Sequence, residues 1–159
     1  MSIEEYKNYV KEKHKGQLRK HGTEYYTHPF AVSEILKNKG FDIDYQITGL
    51  FHDLLEDTSA TYEEILNLSN EKVAIATKLV TKEKDYNMDD YINRIKNNDI
   101  AHMVKLADRI HNLSEAEYAD KSFRDEYIKE SEEYYVDLAR DTIFEEDLNN
   151  VLNKLKKVF

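Results

Sequence analysis

The chain has 159 residues, which is enough for one domain with a well-formed core and too few for two comfortable ones. Its formal net charge of -9 disfavours broad contact with the phosphate backbone of nucleic acid. The absence of cysteine excludes disulfides, thiolate zinc sites and cysteine nucleophiles, while a single proline and four glycines favour an all-α fold over a sandwich or barrel.

The first predicted helix, Ile3 to His14, leads into the only dense basic cluster of the sequence. This cluster comprises Lys11, Lys13, Lys15, Arg19 and Lys20. It would suit a small polyanion, and a solvated helix face is the alternative interpretation. A loop is predicted at 22–26, after which Pro29 is expected to begin the second helix, with His28 at its entrance and Gly40 just past its end.

The third predicted helix begins at Asp42 or Asp44 and continues to Thr58 and Ser59. Its apolar positions follow helical spacing and are Ile43, Ile47, Leu50, Phe51, Leu54 and Leu55. Its end carries His52 and Asp53, followed one turn later by two more acids. Acids at a helix C-terminus oppose the macrodipole at a cost of roughly 0.3–1 kcal/mol each. The pattern therefore predicts a positive charge at this place, and a bound metal ion is the simplest candidate.

The remaining sequence predicts further helices and one candidate lid. Thr61 and Glu64 form a capping box, and helices are expected over 71–80 and 89–97, separated by a polar loop at Lys82–Asn87 that could act as a lid. A long buried helix capped by Asp99 carries Asp108 and Asn112 on one face. Two amphipathic helices over Phe123–Leu138 and Glu145–Phe159 are assigned a packing role.

Four side chains from three separate predicted helices form a candidate metal site: His28, His52, Asp53 and Asp108. Each histidine alone would more often be structural, but the adjacent His52-Asp53 pair and the two acids that follow favour a site. Two imidazoles and two carboxylates suit divalent manganese, iron or zinc better than calcium or magnesium. If the site is octahedral, four protein ligands leave positions for water and substrate, as in a catalytic centre.

Five motifs in order carry a resemblance to a known family. They are His14-x-Gly16-Gln17-x-Arg19-Lys20-x-Gly22, Tyr25-x-x-His28-Pro29, His52-Asp53-x-x-Glu56-Asp57-Thr58, Val80-Thr81-Lys82, and Lys105-Leu106-Ala107-Asp108-Arg109-x-His111-Asn112. The sequence resembles the HD superfamily of metal-dependent phosphohydrolases, and from His14 to about Leu113 it resembles the hydrolase domain of Rel/Spo stringent-response proteins.

The resemblance implies a role for each matching position. His28, His52, Asp53 and Asp108 match the metal ligands, which usually hold manganese in that family. Glu56 and Asp57 match the acidic pair that positions and deprotonates the attacking water. Arg19 and Lys20 match the pair that holds the guanine base and nearby phosphates, and Asn112 matches a contact to the nucleotide sugar. The implied reaction removes the 3′-diphosphate of guanosine tetra- or pentaphosphate and releases pyrophosphate.

The implied architecture is a single-domain HD-type helical bundle over 1–159. Its motif-bearing core covers about 3–115 and its C-terminal packing helices about 123–158, as in the small stand-alone members, since 159 residues leave no room for the synthetase and regulatory domains. A single metal ion is predicted, because only His102 lies between the His52-Asp53 pair and Asp108. His14, His102 and His111 are expected to be structural or to support the ligands.

Two positions depart from the family pattern beside the expected nucleotide site, namely His21 and Glu24. The alternatives are therefore the same chemistry on another nucleotide such as NADPH, or a non-catalytic nucleotide-binding HD domain. The expected partner is a small nucleotide rather than nucleic acid, and no oligomeric state is predicted. No apolar run approaches the roughly 20 residues of a membrane span, and no signal peptide pattern is present, so a cytoplasmic protein without membrane contact is expected.

Overall fold

The computed structural model describes residues 1–158, and its regular secondary structure is helical. The α-helices are α1 (Ile3–Lys13), α2 (Thr27–Asn38), α3 (Ile43–Phe51), α4 (Leu54–Asp57), α5 (Tyr62–Leu68), α6 (Glu71–Val80), α7 (Met88–Lys96), α8 (Asp99–Glu115), α9 (Lys121–Glu130), α10 (Val136–Ala139) and α11 (Glu145–Lys156). A 3₁₀ turn at Ala116–Tyr118 follows α8. Within 1–158 the only extended pairing is one antiparallel bridge between Leu18 and Glu24. The predicted all-α fold is confirmed.

Some helix ends follow the predicted capping residues, and others differ. Asp42 and Thr61 cap α3 and α5 as expected. Helix α2 begins at Thr27, so Pro29 is its third residue, a position without an intrahelical N–H partner where proline is tolerated. Asn98 rather than Asp99 caps α8, accepting from the Ala101 N–H. The last helix ends at Lys156; Phe159, which the prediction included, lies outside the described residues.

The third predicted helix is two helices, so its predicted continuity to Thr58 is wrong. Helix α3 ends at Phe51 and α4 begins at Leu54, with His52 and Asp53 at the break. The His52 ring nitrogen Nδ1 lies 2.7 Å from the carbonyl oxygen of Gly49, three residues earlier. The acids that follow therefore lie on a separate short turn rather than at the C-terminus of a long helix.

The core consists of two groups of buried side chains with the motif residues between them. One group is formed mainly by α1, α3 and α5 and includes Tyr6, Val10, Phe51 and Ile65. The other is centred on α8 and α11 and includes Val104, Tyr135, Phe144 and Leu148. Helices α2, α3 and α8 pack against one another at the junction. No helix among residues 1–158 is long and apolar enough to cross a membrane.

Gly49 permits the close approach of α2 and α3. A Cβ atom at this position would lie 2.9 Å from Leu36 Cδ1 and 3.3 Å from the backbone Cα and N of Ser33. The Leu36 terminus can move, but the Ser33 backbone cannot move without separating the helices that carry His28 and His52.

We expect Gly49→Ala to lower the free energy of unfolding by about 1–3 kcal/mol, the usual cost of overpacking. Urea unfolding measures this change, with Ser114→Ala at an exposed position of α8 as the control. Gly22→Ala would not be a matched control, because Gly22 has a φ of 94° and an alanine there would be strained.

A π-helical segment, Ser131–Tyr135, joins α9 to α10 and makes 121–139 one continuous helix. Tyr127 lies on α9 before this segment and Tyr135 is its last residue, and the two rings enclose the guanidinium of Arg109. The Arg109 Cζ atom lies 4.1 Å from the centroid of the Tyr127 ring and 3.9 Å from that of Tyr135. Such cation–π contacts stabilise a buried cation. Arg109 directly follows Asp108, so this clamp anchors α8 beside the motif residues.

Candidate active site

Three predicted metal ligands from three helices converge at the junction of α2, α3 and α8. His28 Nε2 lies 2.7 Å from Asp108 Oδ1 and 3.2 Å from His52 Nε2, and His52 Nε2 lies 3.3 Å from the same Asp108 oxygen. All three side chains are buried. Two imidazole nitrogens this close either share a hydrogen bond or bind the same metal ion. One carboxylate and two imidazole donors fit a divalent metal of the transition series.

The charged groups of the cluster shift one another's pKa values. Burial lowers the pKa of His52, but the carboxylates of Asp53 and Asp108 outweigh it and raise this pKa well above its usual value. Burial also opposes the charge of Asp108, yet Lys105 and the two imidazoles hold its pKa well below the usual range. The carboxylates therefore favour a positive charge at His52, whereas burial lowers the pKa of His28.

Hydrogen bonds around the cluster leave one donor atom of each residue aimed at its centre. The Nδ1–H of His52 donates to the carbonyl of Gly49, so its Nε2 faces Asp108. Lys105 Nζ donates to Asp108 Oδ2 over 3.0 Å, and Asn112 Nδ2 donates to Asp108 Oδ1 over 3.1 Å. Partners of this kind orient metal ligands and tune their basicity.

His28 is oriented by a chain of two further side chains. Its Nδ1 lies 2.7 Å from Nδ1 of His111, whose Nε2 lies 2.9 Å from Glu115 Oε1. Burial and the neighbouring His28 lower the pKa of His111 to about 3, so this ring is neutral. A neutral His111 that donates from Nε2 to Glu115 accepts at Nδ1 from His28. The His28 Nε2 lone pair is thereby left for a ligand at the centre of the cluster.

Asp53, the fourth predicted ligand, lies beside the cluster. Its Oδ2 atom is 3.0 Å from His52 Nε2 and 3.8 Å from His28 Nε2. The Tyr25 hydroxyl donates to the same oxygen over 2.7 Å. Burial opposes ionisation of Asp53, but His52 outweighs it and lowers the pKa of this carboxyl. The structure thus brings the four predicted ligands together, and Tyr25 holds the fourth in place.

The predicted catalytic acids, Glu56 and Asp57, extend this cluster on α4. Their carboxylates and that of Asp53 have oxygens within 4.8 Å of one another. Glu56 Oε1 accepts from the Lys82 backbone N–H over 2.7 Å, so the predicted lid begins at a direct contact with the site. Gln17 Nε2 donates to the Asp57 carbonyl over 2.8 Å and also contacts His14. The structure therefore gives His14 a supporting place behind Asp57.

Asp57 is poised to titrate near neutral pH. Burial, together with the negative charges of Asp53 and Glu56, raises its pKa to about 6. We expect this pKa to fall by about 1–3 units when a divalent metal ion binds beside Asp53, because a nearby cation favours the charged carboxylate. Carboxyl carbon NMR titrations of metal-free and metal-loaded protein would measure the change, with Asp57→Asn to assign the resonance. An unchanged pKa would contradict the placement of the metal next to this acid.

A cavity of about 270 Å³ opens beside the cluster and contains all three predicted substrate-binding residues. Arg19 Nη2 donates to Asn112 Oδ1 over 3.0 Å, and Asn112 in turn donates to the ligand Asp108. The Lys20 ammonium lies 3.4 Å from the centroid of the Phe123 ring. Asn112 therefore joins the cavity to the cluster of predicted metal ligands.

Only part of the predicted basic cluster belongs to this cavity. Arg19 and Lys20 line it, whereas Lys11 lies over the Tyr26 ring and Lys13 lies near Glu64 and Ser59. Arg19 and Lys20 follow the first helix in a loop whose two sides meet at the bridge from Leu18 to Glu24. The conformation of this loop therefore determines which basic side chains of the cluster line the cavity.

The C-terminal half contributes side chains that the sequence analysis did not place in the site. Phe123 and Tyr127 of α9 line the cavity in addition to their packing role. Glu115, on α8, contacts Arg19, His21 and His111 there. Its position, seven residues after Asp108 on the same helix, was the available signal. His102 lies apart, with Nε2 2.7 Å from the Leu138 carbonyl oxygen, in agreement with the predicted structural role.

The chain is similar to named proteins from several bacteria. The chain is 33% identical over 143 residues to a guanosine-3′,5′-bis(diphosphate) 3′-pyrophosphohydrolase of Spiroplasma citri, covering 82% of this chain and 19% of that protein. It is 35% identical over 139 residues to the protein of the same name from Aquifex aeolicus, covering 82% and 20%. The chain thus spans about a fifth of the length of these curated relatives.

Solved structures show the same fold. One, described as a metazoan ortholog of SpoT that hydrolyzes ppGpp and plays a role in starvation responses, superposes with a TM-score of 0.84 at 25% identity, covering 100% of this chain and 98% of that one. A Listeria monocytogenes structure superposes with a TM-score of 0.64 at 23% identity, covering 84% and 98%, and shows the fold alone. The sequence matches the HD domain family over residues 7–142. The motifs, the helical bundle and this match together establish that the chain belongs to the HD domain family.

Proposed function

We propose that this protein hydrolyses the 3′-diphosphate of guanosine tetra- or pentaphosphate, giving GDP or GTP and pyrophosphate. The observation that carries the proposal is the connection, through Asn112, between a cluster of metal-ligand type and a cavity that contains Arg19 and Lys20. The names of the curated relatives and the ppGpp hydrolysis described for the metazoan structure support the same reaction.

The proposed division of labour follows from the positions of the side chains. His28, His52, Asp53 and Asp108 would hold one divalent metal ion, which when bound polarises the phosphate and the attacking water. Glu56 and Asp57 orient this water and take its proton, and the raised pKa of Asp57 suits a proton acceptor. The water oxygen forms a bond to the phosphorus attached to the 3′ oxygen, and the bond between that phosphorus and the 3′ oxygen breaks. Pyrophosphate leaves, and the 3′ oxygen takes up a proton to become the hydroxyl of GDP or GTP.

Binding of the substrate uses the other end of the site. Arg19 and Lys20 offer positive charge to the phosphates, and Asn112 lies where the sugar must sit between the cavity and Asp108. Preorganised charges near a developing negative charge stabilise the transition state. The mixed nitrogen and oxygen donors suit manganese, iron or zinc, and we propose manganese because the family that the sequence resembles usually holds it. A nucleotide substrate also supports the cytoplasm as the place of action.

The decisive experiment is an assay of pyrophosphate release from guanosine tetraphosphate. Metal-stripped protein is assayed with and without added manganese, beside an Asp53→Ala variant. Manganese-dependent release that is lost in the variant is the expected result. If the parent protein binds manganese but releases no pyrophosphate, the proposed substrate is wrong, and NADPH dephosphorylation is the next reaction to assay. Nucleotide binding without turnover of either compound would indicate a non-catalytic domain.

A further inference from the structure

Glu115 is an acidic residue in a cavity that we propose accepts a polyanion. Its carboxylate is held from three sides: Oε1 lies 3.3 Å from Arg19 Nη2 and 2.9 Å from His111 Nε2, and Oε2 lies 2.8 Å from His21 Nε2. Its side chain is 22% exposed, so the carboxylate lies in the cavity wall rather than in bulk solvent. A carboxylate fixed in the cavity wall would repel a phosphate group. Glu115 must therefore contact a part of the ligand other than its phosphates.

Helix α8 places Glu115 at the far end of the ligand from the metal cluster. Asp108, Asn112 and Glu115 follow the spacing i, i+4 and i+7 and share one face. At about 1.5 Å per residue, Asn112 lies about 6 Å and Glu115 about 10 Å along the helix from Asp108. A nucleoside whose 3′-phosphate lies at Asp108 and whose sugar lies at Asn112 brings its base to Glu115.

The rest of the cavity wall at this end suits a flat base. Aromatic rings of Tyr25, Tyr118, Phe123 and Tyr127 line it, together with the aliphatic side chain of Leu18. Phe123 and Tyr127 are stacked, with ring centroids 5.3 Å apart and planes inclined by 18°. Aromatic surfaces bind every base by stacking and do not distinguish between bases. Discrimination therefore has to come from a polar group, and Glu115 is the acidic side chain among the lining residues.

We propose that Glu115 determines base specificity by accepting hydrogen bonds from the N1–H and the 2-amino group of guanine. This inference rests on the proposed function and names the residue that reads the base. A carboxylate only accepts, with about four lone-pair positions, and three are used by Arg19, His111 and His21. When Arg19 turns to bind the substrate phosphates, the lone pair of Oε1 that accepted from it becomes free. This lone pair lies next to the unused lone pair of Oε2. Adenine presents an acceptor at its N1 atom and is repelled.

The test compares the binding of nucleotides that differ only in this edge of the base. Calorimetry gives the affinities of GDP, IDP and ADP for the metal-loaded parent and for Glu115→Gln. IDP lacks the 2-amino group, and ADP also replaces the N1 donor with an acceptor. We expect the parent to bind GDP roughly tenfold to a hundredfold more tightly than ADP, with IDP between them, in line with the discrimination of about 1–3 kcal/mol for a bidentate contact to a base. These ratios should approach one in Glu115→Gln.

Two controls keep the result specific to the base. Glutamine retains an acceptor for His111, so Glu115→Gln should still bind manganese, and the nucleotides are compared with manganese in excess. Glu117→Gln removes the same charge from an exposed residue outside this cavity and should leave the GDP preference intact. Equal affinity of the parent for the three nucleotides, or an unchanged preference in Glu115→Gln, would overturn the inference. Because binding is measured without turnover, this outcome is separate from a failure of pyrophosphate release.

Discussion

Glu56→Gln is expected to lower the rate of pyrophosphate release by roughly 10²- to 10⁴-fold, which is the usual contribution of a general base. Glutamine has nearly the same shape and keeps an oxygen that can accept from the Lys82 N–H, so the contact with the predicted lid should survive. What it loses is the ability to take a proton from water. The turnover number should therefore fall while the affinity for guanosine tetraphosphate stays within a few-fold of the parent value.

The matched control for this change is Glu63→Gln on the neighbouring helix α5, where the side chain is exposed. It removes the same charge from the same region without touching the cluster, and its turnover should equal that of the parent. Single-turnover kinetics separate the chemical step from product release. A Glu56→Gln enzyme that keeps full turnover would show that this carboxylate does not act on the water.

Asp108→Asn should affect metal binding and stability together. A neutral amide is a weaker ligand, and we expect metal affinity to fall by at least about 10–100-fold, the range seen when only a supporting partner of a ligand is lost. The amide also removes the negative charge that lies 3.0 Å from the buried Lys105 ammonium. Removal of one member of a buried pair costs about 3–5 kcal/mol. Urea unfolding of metal-free protein and metal titration measure the two effects separately.

A double-mutant cycle with Lys105→Met identifies the source of the lost stability. Methionine removes the ammonium while its chain fills much of the same volume, so each single variant leaves one buried charge without its partner. The double variant, Asp108→Asn with Lys105→Met, should lose less stability than the sum of the two single changes, by an interaction of about 0.5–3 kcal/mol. Strict additivity would show that the pair contributes nothing to the metal-free fold.

Hydrophobic spacing predicted the helices because it is encoded locally. The convergence of His28, His52 and Asp108 was predicted from their chemistry and from the order of the family motifs. The break between α3 and α4 was not predictable in this way. Leu54 and Leu55 continue the apolar spacing of α3, so the sequence pattern does not record a change of direction at His52. That change depends on the bond from His52 to the Gly49 carbonyl and on packing against the rest of the core.

Glu115 shows a second limit of sequence reasoning. Its three partners, Arg19, His21 and His111, come from a loop far away in the sequence and from its own helix, and the only local signal is its place seven residues after Asp108. The same holds for Phe123, which reaches the cavity only because α9 packs beside the loop that carries Lys20. Contacts between distant segments determine both positions, and a single sequence carries no direct record of them.

The π-helical segment has a consequence for the tolerance of this chain to insertions and deletions. Tyr127 and Tyr135 are eight residues apart, which in a regular α-helix of 3.6 residues per turn would separate them by about 80° around the axis. The wider π turn removes most of this rotation, so both rings face Arg109. Loss of one residue from 131–135 could yield a more regular helix, but it would change which side chain occupies the place of Tyr135. Related sequences should therefore vary in length at the exposed loops more readily than within this segment.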